Sequence, residues 1–257
     1  MDEQNDNYAN SSKKMQKSGF AQYSFMYELY KAILVSGIKQ PTPVQRKVIP
    51  SIMAGKDAIV CYKTGSGKTL SYLLPMINKL KCHSKVVGAR GLILIPTREL
   101  AEQITKVLRQ FVKFTDLKYT LLLGGHTYEG QFESLSTNPD IIIATPGRLM
   151  ELLQETDLKL GRVEMIVYDE ADMLFENTSF YDQLKEITGK CPISQRLMFS
   201  ATINETLNDF AKSGLKDYSY IHQEVQLPET MTIDAFILRP EDKTSALLFL
   251  LEKFVLN

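Results

Sequence analysis

The sequence has no tryptophan, only three cysteines and three histidines in 257 residues, and no excess of either charge sign. Cys61, Cys82 and Cys191 lie far apart, with neither a CxxC pair nor a metal-ligand spacing. A disulfide framework therefore has nothing to build on, and the three read as reduced thiols of an intracellular protein. His83, His126 and His222 are equally scattered and supply no zinc pattern. No apolar run approaches the ~18 residues that a membrane helix needs, and the polar start MDEQNDNYANSSKK lacks the apolar core of a signal peptide. Lys plus Arg and Asp plus Glu both number 30, so the net charge is zero. That balance argues against a broad basic surface coating nucleic acid, and leaves room for a local basic groove.

What is present is ordinary core-forming material, with 44% hydrophobic residues. Residues 1–18 are polar and aperiodic and read as a lead-in without fixed structure. An amphipathic pattern predicts a helix over Ser24–Ser36 that stops at Gly37, and a second over Val44–Met53. Seven short apolar runs follow: Asp57–Cys61, Gly91–Ile95, Tyr119–Leu123, Asp140–Ala144, Glu164–Tyr168, Arg196–Phe199 and Tyr218–His222. They are too continuous for a sheet with one wet face. Helical stretches such as Thr97–Val112 and Ile203–Ser213 alternate with them. This rhythm predicts an α/β domain, a parallel β-sheet covered by helices on both faces. Ligands in such sheets sit beyond the carboxyl ends of the strands. After Gln223 the pattern changes. Residues 224–232 read as a linker, Ile233–Leu238 as a strand and Thr244–Phe254 as a helix, so residues 233–257 are expected to open a second domain that is cut short. Lys81–Lys85 reads as a mobile surface loop without a function.

Two clusters carry chemistry. Thr64-Gly65-Ser66-Gly67-Lys68-Thr69 follows the first strand and opens a helix. Its glycines let backbone N–H groups wrap phosphates at a helix N-terminus; Lys68 can reach the β- and γ-phosphates of a nucleotide, and Thr69 can ligate Mg2+. The strict pattern asks for glycine at position 62, where this chain has Tyr62. The second cluster is Asp169-Glu170-Ala171-Asp172 at the end of an apolar strand. Alone, three acids in four residues could simply open a helix. Beside a phosphate loop, Asp169 is placed to hold Mg2+ and Glu170 to orient or deprotonate the attacking water.

Other segments go beyond a generic ATPase. They are Gly37-Ile-Lys-Gln-Pro-Thr-Pro-Val-Gln45 with Phe20 upstream, Pro96-Thr97-Arg98-Glu99-Leu100-Ala101, Gly124-Gly125, Thr145-Pro146-Gly147-Arg148 and Ser200-Ala201-Thr202. With the two clusters above, and in this order, they make the chain resemble the DEAD-box ATP-dependent RNA helicases from Phe20 to about His222. The resemblance implies a RecA-like P-loop domain over residues 19–223 that takes ATP and Mg2+. It implies that Gln45 reads the adenine edge and Phe20 packs on the ring. It assigns Pro96, Thr97, Arg98, Gly125, Thr145 and Arg148 to the RNA sugar-phosphate backbone, a contact blind to sequence. Ser200, Thr202 and Asp172 would couple the ATP and RNA sites. The other implied partner is a second RecA-like domain, which would supply an arginine finger. Gln131-Phe132, Asn138-Pro139-Asp140-Ile-Ile-Ile, Leu158-Lys159-Leu160 and Leu174-Phe175-Glu176 resemble the nucleolar branch serving large ribosomal subunit assembly. That branch implies ribosome biogenesis, pre-ribosomal protein partners and a nuclear, nucleolar location.

One residue departs from the pattern. Tyr62 stands where the family usually has alanine, and a ring there could tilt or shield the phosphate loop. A module that keeps the fold as an RNA-binding scaffold but has lost turnover is therefore the alternative. Intact Lys68, Thr69, Asp169 and Glu170 weigh against it. A DNA-acting motor or signalling ATPase shares the two clusters, but not Gln45 in its Pro-Thr-Pro context or the Ser-Ala-Thr triplet.

Overall fold

In the computed structural model, which describes residues 19–125, 127–223 and 235–254, every one of the seven apolar runs is a strand. They are β1 (Ala58–Cys61), β2 (Gly91–Leu94), β3 (Tyr119–Leu122), β4 (Ile141–Ala144), β5 (Met165–Asp169), β6 (Gln195–Ser200) and β7 (Ser219–His222). They form one sheet in the order β3-β4-β2-β5-β6-β1-β7, and each neighbouring pair is parallel. The inner strands β2, β4 and β5 are buried at every position, as runs of Ile, Val and Leu require. The outermost strands β3 and β7 alternate between more and less covered positions, matching their mixed sequences Tyr-Thr-Leu-Leu and Ser-Tyr-Ile-His.

The helices are α1 (Tyr27–Val35), α2 (Pro43–Met53), α3 (Lys68–Leu80), α4 (Arg98–Val112), α5 (Tyr128–Ser136), α6 (Pro146–Glu155), α7 (Ala171–Glu176), α8 (Thr178–Gly189) and α9 (Glu205–Gly214). Successive strand residues serve opposite layers, as a two-residue repeat dictates. Val60, Ile93, Ile143 and Val167 join Leu29, Ile49, Leu73 and Phe111 from α1–α4. Ile59, Leu92, Ile142 and Ile166 join Leu149, Leu174, Leu184 and Phe210 from α6–α9. Side chains fix the helix starts. Thr42 and Gln45 form a reciprocal capping box on α2 with Pro43 in its first turn, and Thr97, Thr127 and Asn204 each accept a first-turn amide.

Several expectations shift. The first helix begins at Tyr27 rather than Ser24, because Ser24 has φ +52° and follows a 3-10 turn over Gly19–Tyr23. The loop at 81–85 is pinned rather than loose: Asp140 accepts the Ser84 amide (3.0 Å) and contacts the His83 ring (2.8 Å). Contacts divide the chain between Gln223 and Glu224. In the second unit a 3-10 turn, Pro240–Asp242, leads into α10 (Lys243–Phe254), where a helix was expected. The strand expected over Ile233–Leu238 is absent from its described part, residues 235–238. A strand needs a neighbour to take its backbone hydrogen bonds, and the described residues of this unit include no second strand. Residues 1–18 and 224–232, read as lead-in and linker, lie outside the described residues. Among those described, no helix is long and apolar enough to cross a membrane.

Candidate active site

Strand register assembles the site. Asp169 at the end of β5 is level with Phe199 on β6, and Cys61 at the end of β1 is level with Ser200. The acidic cluster and the phosphate loop therefore flank the end of β6, two strand spacings or about 10 Å apart. That end continues into Ser200-Ala201-Thr202. Three motifs separated by more than a hundred residues thus share one rim.

The phosphate loop turns into α3 at Gly67, whose φ of +97° is open to glycine without strain. A methyl group there would stand 2.6 Å from Gln45 Nε2 and 3.0 Å from Thr42 Oγ1. This close approach is used: Gln45 Nε2 donates to the Gly67 carbonyl (3.1 Å), while its oxygen accepts the Thr42 amide (2.9 Å). The Gln45 amide is thus buried against the loop here, rather than open to a base. Lys68 is 6% exposed, and its Nζ lies 3.7 Å from Glu170 Oε1, too far for a hydrogen bond. Lys68 Nζ and Ser66 Oγ are both buried without a hydrogen-bond partner. Buried donors left unmatched are costly, and phosphate oxygens would satisfy both. They border a cavity of about 390 Å3 lined by Thr64, Gly65, Thr69, Asp169, Glu170 and the α4 residues Leu100, Gln103, Ile104 and Val107. Thr69 and Asp169 form a partial oxygen set, the kind Mg2+ completes with phosphates and water.

The two acids at the end of β5 sit in different settings. Asp169 is buried; its Oδ2 accepts the Tyr72 hydroxyl (2.7 Å) and its Oδ1 the Glu170 amide (3.0 Å). Burial raises its carboxyl above the usual range, against the pull of these bonds and of Lys68. Glu170 takes a left-handed conformation (φ +47°, ψ +53°), which for a non-glycine residue costs on the order of 1–2 kcal/mol. That turn separates the two side chains. Burial also raises the Glu170 carboxyl, with Lys68 the main opposing influence.

Asp172 faces the other way. Its Oδ2 accepts both the Thr202 hydroxyl (2.7 Å) and amide (3.1 Å), and its own amide donates to Ser200 Oγ (3.2 Å). Ser200 Oγ in turn donates to the Thr202 carbonyl (2.6 Å). Burial works to raise the Asp172 carboxyl, but the bonds from Thr202 and Ser200 leave it below the usual range. Ser200, Thr202 and Asp172 form one closed ring of bonds between β6 and α7.

The residues assigned to RNA gather on the neighbouring half of the same rim. Pro96-Thr97-Arg98 follows β2, Gly124-Gly125 follows β3, and Thr145–Arg148 follows β4; these strands are adjacent in the sheet. Arg98 is exposed and its guanidinium lies against Gly124 and Gly125, where Gly125 has φ +84° and a side chain would collide. Arg148 is different. It is buried, donates to Gln131 Oε1 (3.2 Å) and Glu151 Oε2 (2.9 Å), and lies 3.5 Å from the centre of the Tyr128 ring.

Two aromatic side chains sit elsewhere than their motifs imply. Tyr62 is 3% exposed and packed in the core beneath the sheet's rim, so its ring does not line the phosphate cavity. A concern that it shields the loop is thereby removed. Phe20 is also 3% exposed, within the same core layer and edge-on to Tyr23. Sequence reading missed Tyr72, although its spacing of four from Lys68 places both on one helical face. It also missed that Gln131, which donates to the Leu123 carbonyl (3.0 Å), links β3 to Arg148.

A family model described as DEAD/DEAH box helicase matches residues 42–210, about two thirds of the chain. The ATP-dependent RNA helicase DDX54 of Mus musculus is 46% identical over 250 residues, covering 96% of this chain and 28% of the relative. The ATP-dependent RNA helicase DBP10 of Yarrowia lipolytica is 44% identical over 245 residues, covering 94% and 26%. The chain thus spans little more than a quarter of the length of these relatives. A solved structure described as a hypothetical ATP-dependent RNA helicase from Sulfolobus tokodaii matches with a TM-score of 0.69 at 35% identity, covering 77% of this chain and 57% of that one. The yeast DEAD-box splicing factor Prp28 matches with a TM-score of 0.69 at 33% identity, covering 75% and 48%.

Proposed function

The chain belongs to the DEAD/DEAH box helicase family, and from that membership we propose that it is the ATP- and RNA-binding half of an ATP-dependent RNA helicase. The observation that carries this reading is the pair of buried, unmatched donors, Lys68 Nζ and Ser66 Oγ, in a cavity bordered by Asp169 and Glu170. Backbone N–H groups of Thr64–Thr69 would cradle the phosphates at the start of α3. Mg2+ would be held by Thr69 and Asp169, where it would neutralise charge on the phosphates. Glu170 would take a proton from the attacking water. Lys68 is the main influence lowering that carboxyl, so its departure toward a phosphate oxygen would make Glu170 a better base as ATP binds.

RNA would lie across the ends of β2, β3 and β4, held through its backbone by Arg98, the Gly125 amide and Thr145. Pro96 and Thr97 shape that edge, while Arg148 acts through the surface it holds rigid. The ring of Ser200, Thr202 and Asp172 stands beside the phosphate cavity and would report its state. A second RecA-like domain, beginning after the linker at 224–232, would close on both sites and bring the arginine finger. Hydrolysis would then be coupled to local duplex separation or to remodelling of an RNA–protein particle. The finer resemblance at Gln131-Phe132, Asn138–Ile143, Leu158–Leu160 and Leu174–Glu176 supports work in ribosome biogenesis with pre-ribosomal proteins in the nucleolus. Tyr62, the one feature that favoured an inactive scaffold, packs in the core away from the phosphate cavity.

The test is a titration of the chain with fluorescent ADP and Mg2+, competed with ATP, GTP and AMP. Adenine di- and triphosphates are expected to compete, and Lys68→Ala to weaken ADP by at least about tenfold, roughly 1.4 kcal/mol. Unchanged ADP affinity in a folded Lys68→Ala protein would remove the phosphate loop from the argument.

A further inference from the structure

The opposite end of the sheet carries a second cavity, of about 200 Å3, walled by Val87, Ala89, Phe132, Leu135, Ile142 and Leu158. It lies where β2 and β4 begin, so the nucleotide and RNA rim cannot use it. Its size is set against the ~150 Å3 apolar cavity that accommodates benzene. It can therefore take one large side chain.

The wall is preformed. Residues 81–90 contain neither helix nor strand, yet the loop is tied down at several points. Asp140 accepts Arg90 Nη2 (2.7 Å), the Ser84 amide (3.0 Å) and the Lys118 amide (3.0 Å). Asn138, at φ +55°, accepts the Gly88 amide (3.0 Å) and donates to the Ser84 carbonyl (2.9 Å). Arg162 donates to the Val86 carbonyl (2.6 Å). This bonding holds Val86 and Val87 outward, 61% and 72% exposed, beside the half-exposed Phe132. Rigidly presented apolar side chains around a formed cavity are a feature of interaction sites rather than of solvated loops.

Two further observations point to what fits. First, three of the four segments carrying the finer resemblance converge here: Phe132, Asn138-Pro139 and Leu158-Lys159 all border the cavity. Second, the charges are one-sided. Lys159 borders the cavity, Arg162 and Lys85 belong to the pinned loop and its support, and Lys118 reaches the Thr137 carbonyl beside Asn138. The carboxylates of these loops are committed: Asp140 is buried against Arg90, Asp116 accepts the His83 amide, and Asp157 pairs with Lys159.

We propose that this cavity docks a segment of a partner protein that inserts a bulky aliphatic or aromatic side chain flanked by carboxylates. The polar atoms of Asn138 and Thr156 at its edge are already bonded within the chain, so recognition there is by apolar fit. The four cations supply the attraction for acidic flanks.

The probe is a pool of short peptides with Leu, Ile, Phe or Met at the centre and Asp or Glu on both sides. It is compared with a pool flanked by Lys or Arg and with single-stranded oligouridine. Methyl NMR signals of Val86, Val87, Leu135, Ile142 and Leu158 report occupancy. The acidic pool should shift them saturably; Val87→Asp and Lys159→Glu should each weaken binding by about tenfold or more, by placing charge in the apolar mouth and by removing attraction. Neither variant should alter ADP binding, which separates failure here from failure of the nucleotide reading. Absence of shifts at millimolar peptide, equal shifts with the basic pool, or unchanged binding by Val87→Asp would overturn the proposal. Shifts caused by oligouridine would assign the face to RNA, and shifts that grow with protein concentration alone would assign it to a second copy; either result also overturns it.

Discussion

Tyr72→Phe removes one oxygen atom from the centre of the candidate site and nothing else. The ring is fully buried and packs on Phe199 at a centroid distance of 5.0 Å, a contact phenylalanine retains. The hydroxyl donates to Asp169 Oδ2 at 2.7 Å, and burial holds the Tyr72 hydroxyl well above its ordinary ionisation, so it is a donor at any working pH. A hydrogen bond to a charged group contributes about 1.5–3 kcal/mol, against about 1 for a neutral pair. The variant should therefore lose about 1.5–3 kcal/mol at neutral pH, near 2–4 °C of melting temperature per kcal/mol for a domain of this size. The sign of the pH dependence follows from Asp169. Its folded-state carboxyl is raised by burial, so ionisation of this group opposes folding above that point, and the Tyr72 bond offsets part of the penalty. Without the hydroxyl the penalty grows at neutral pH and fades as acid protonates Asp169. Urea unfolding of both proteins at pH 7.5 and near pH 4 measures the two differences, and Mg2+ titration of ADP binding reports whether Asp169 has lost its orientation. Equal stability at pH 7.5 within about 0.5 kcal/mol, with unchanged Mg2+ dependence, would refute a charge-assisted bond at this position.

Asp172→Asn should destabilise the first unit by about 1.5–3 kcal/mol at neutral pH, since a charged acceptor of two Thr202 donors becomes neutral. The Asp172 carboxyl is lowered in the folded state, so its contribution is full above the ordinary carboxyl range and is lost as pH falls through the lowered value. The two proteins should therefore converge in acid, and parallel unfolding curves across pH check this. In a protein carrying both helicase domains, Glu170→Gln should abolish RNA-stimulated hydrolysis while ATP affinity stays within about threefold. Phosphate release at the original rate would take Glu170 out of the reaction.

Much of the fold was legible because its signals are local. Ile-Val-Leu runs of strand length, alternating with helical stretches, leave few options besides a covered parallel sheet, and all seven strands lie within a residue or two of their runs. The phosphate loop and the acidic cluster were legible for a similar reason: their spacing reflects backbone geometry within one turn. Elsewhere a local reading misled. Ile233–Leu238 has the composition of a strand, but composition cannot supply the neighbour a strand requires. Lys81–Lys85 has the composition of a loose loop, while its anchors Asp140 and Asn138 lie more than fifty residues away.

The sequence by itself determined which residue types the chemistry could draw on and the fold class that carries them. Tertiary structure alone decided that β3, β4 and β2 gather the RNA candidates while β5, β6 and β1 gather those for ATP, because strand order depends on crossovers and not on any one segment. It also decided which side chains are free. Tyr62 and Phe20 went into the core, the Gln45 amide was spent on Gly67, Arg148 was enclosed by Gln131, Glu151 and Tyr128, and Lys68 was left with a buried, unmatched ammonium. Burial and hydrogen-bond satisfaction are settled among groups distant in the chain, and no segment holds both sides of those contacts.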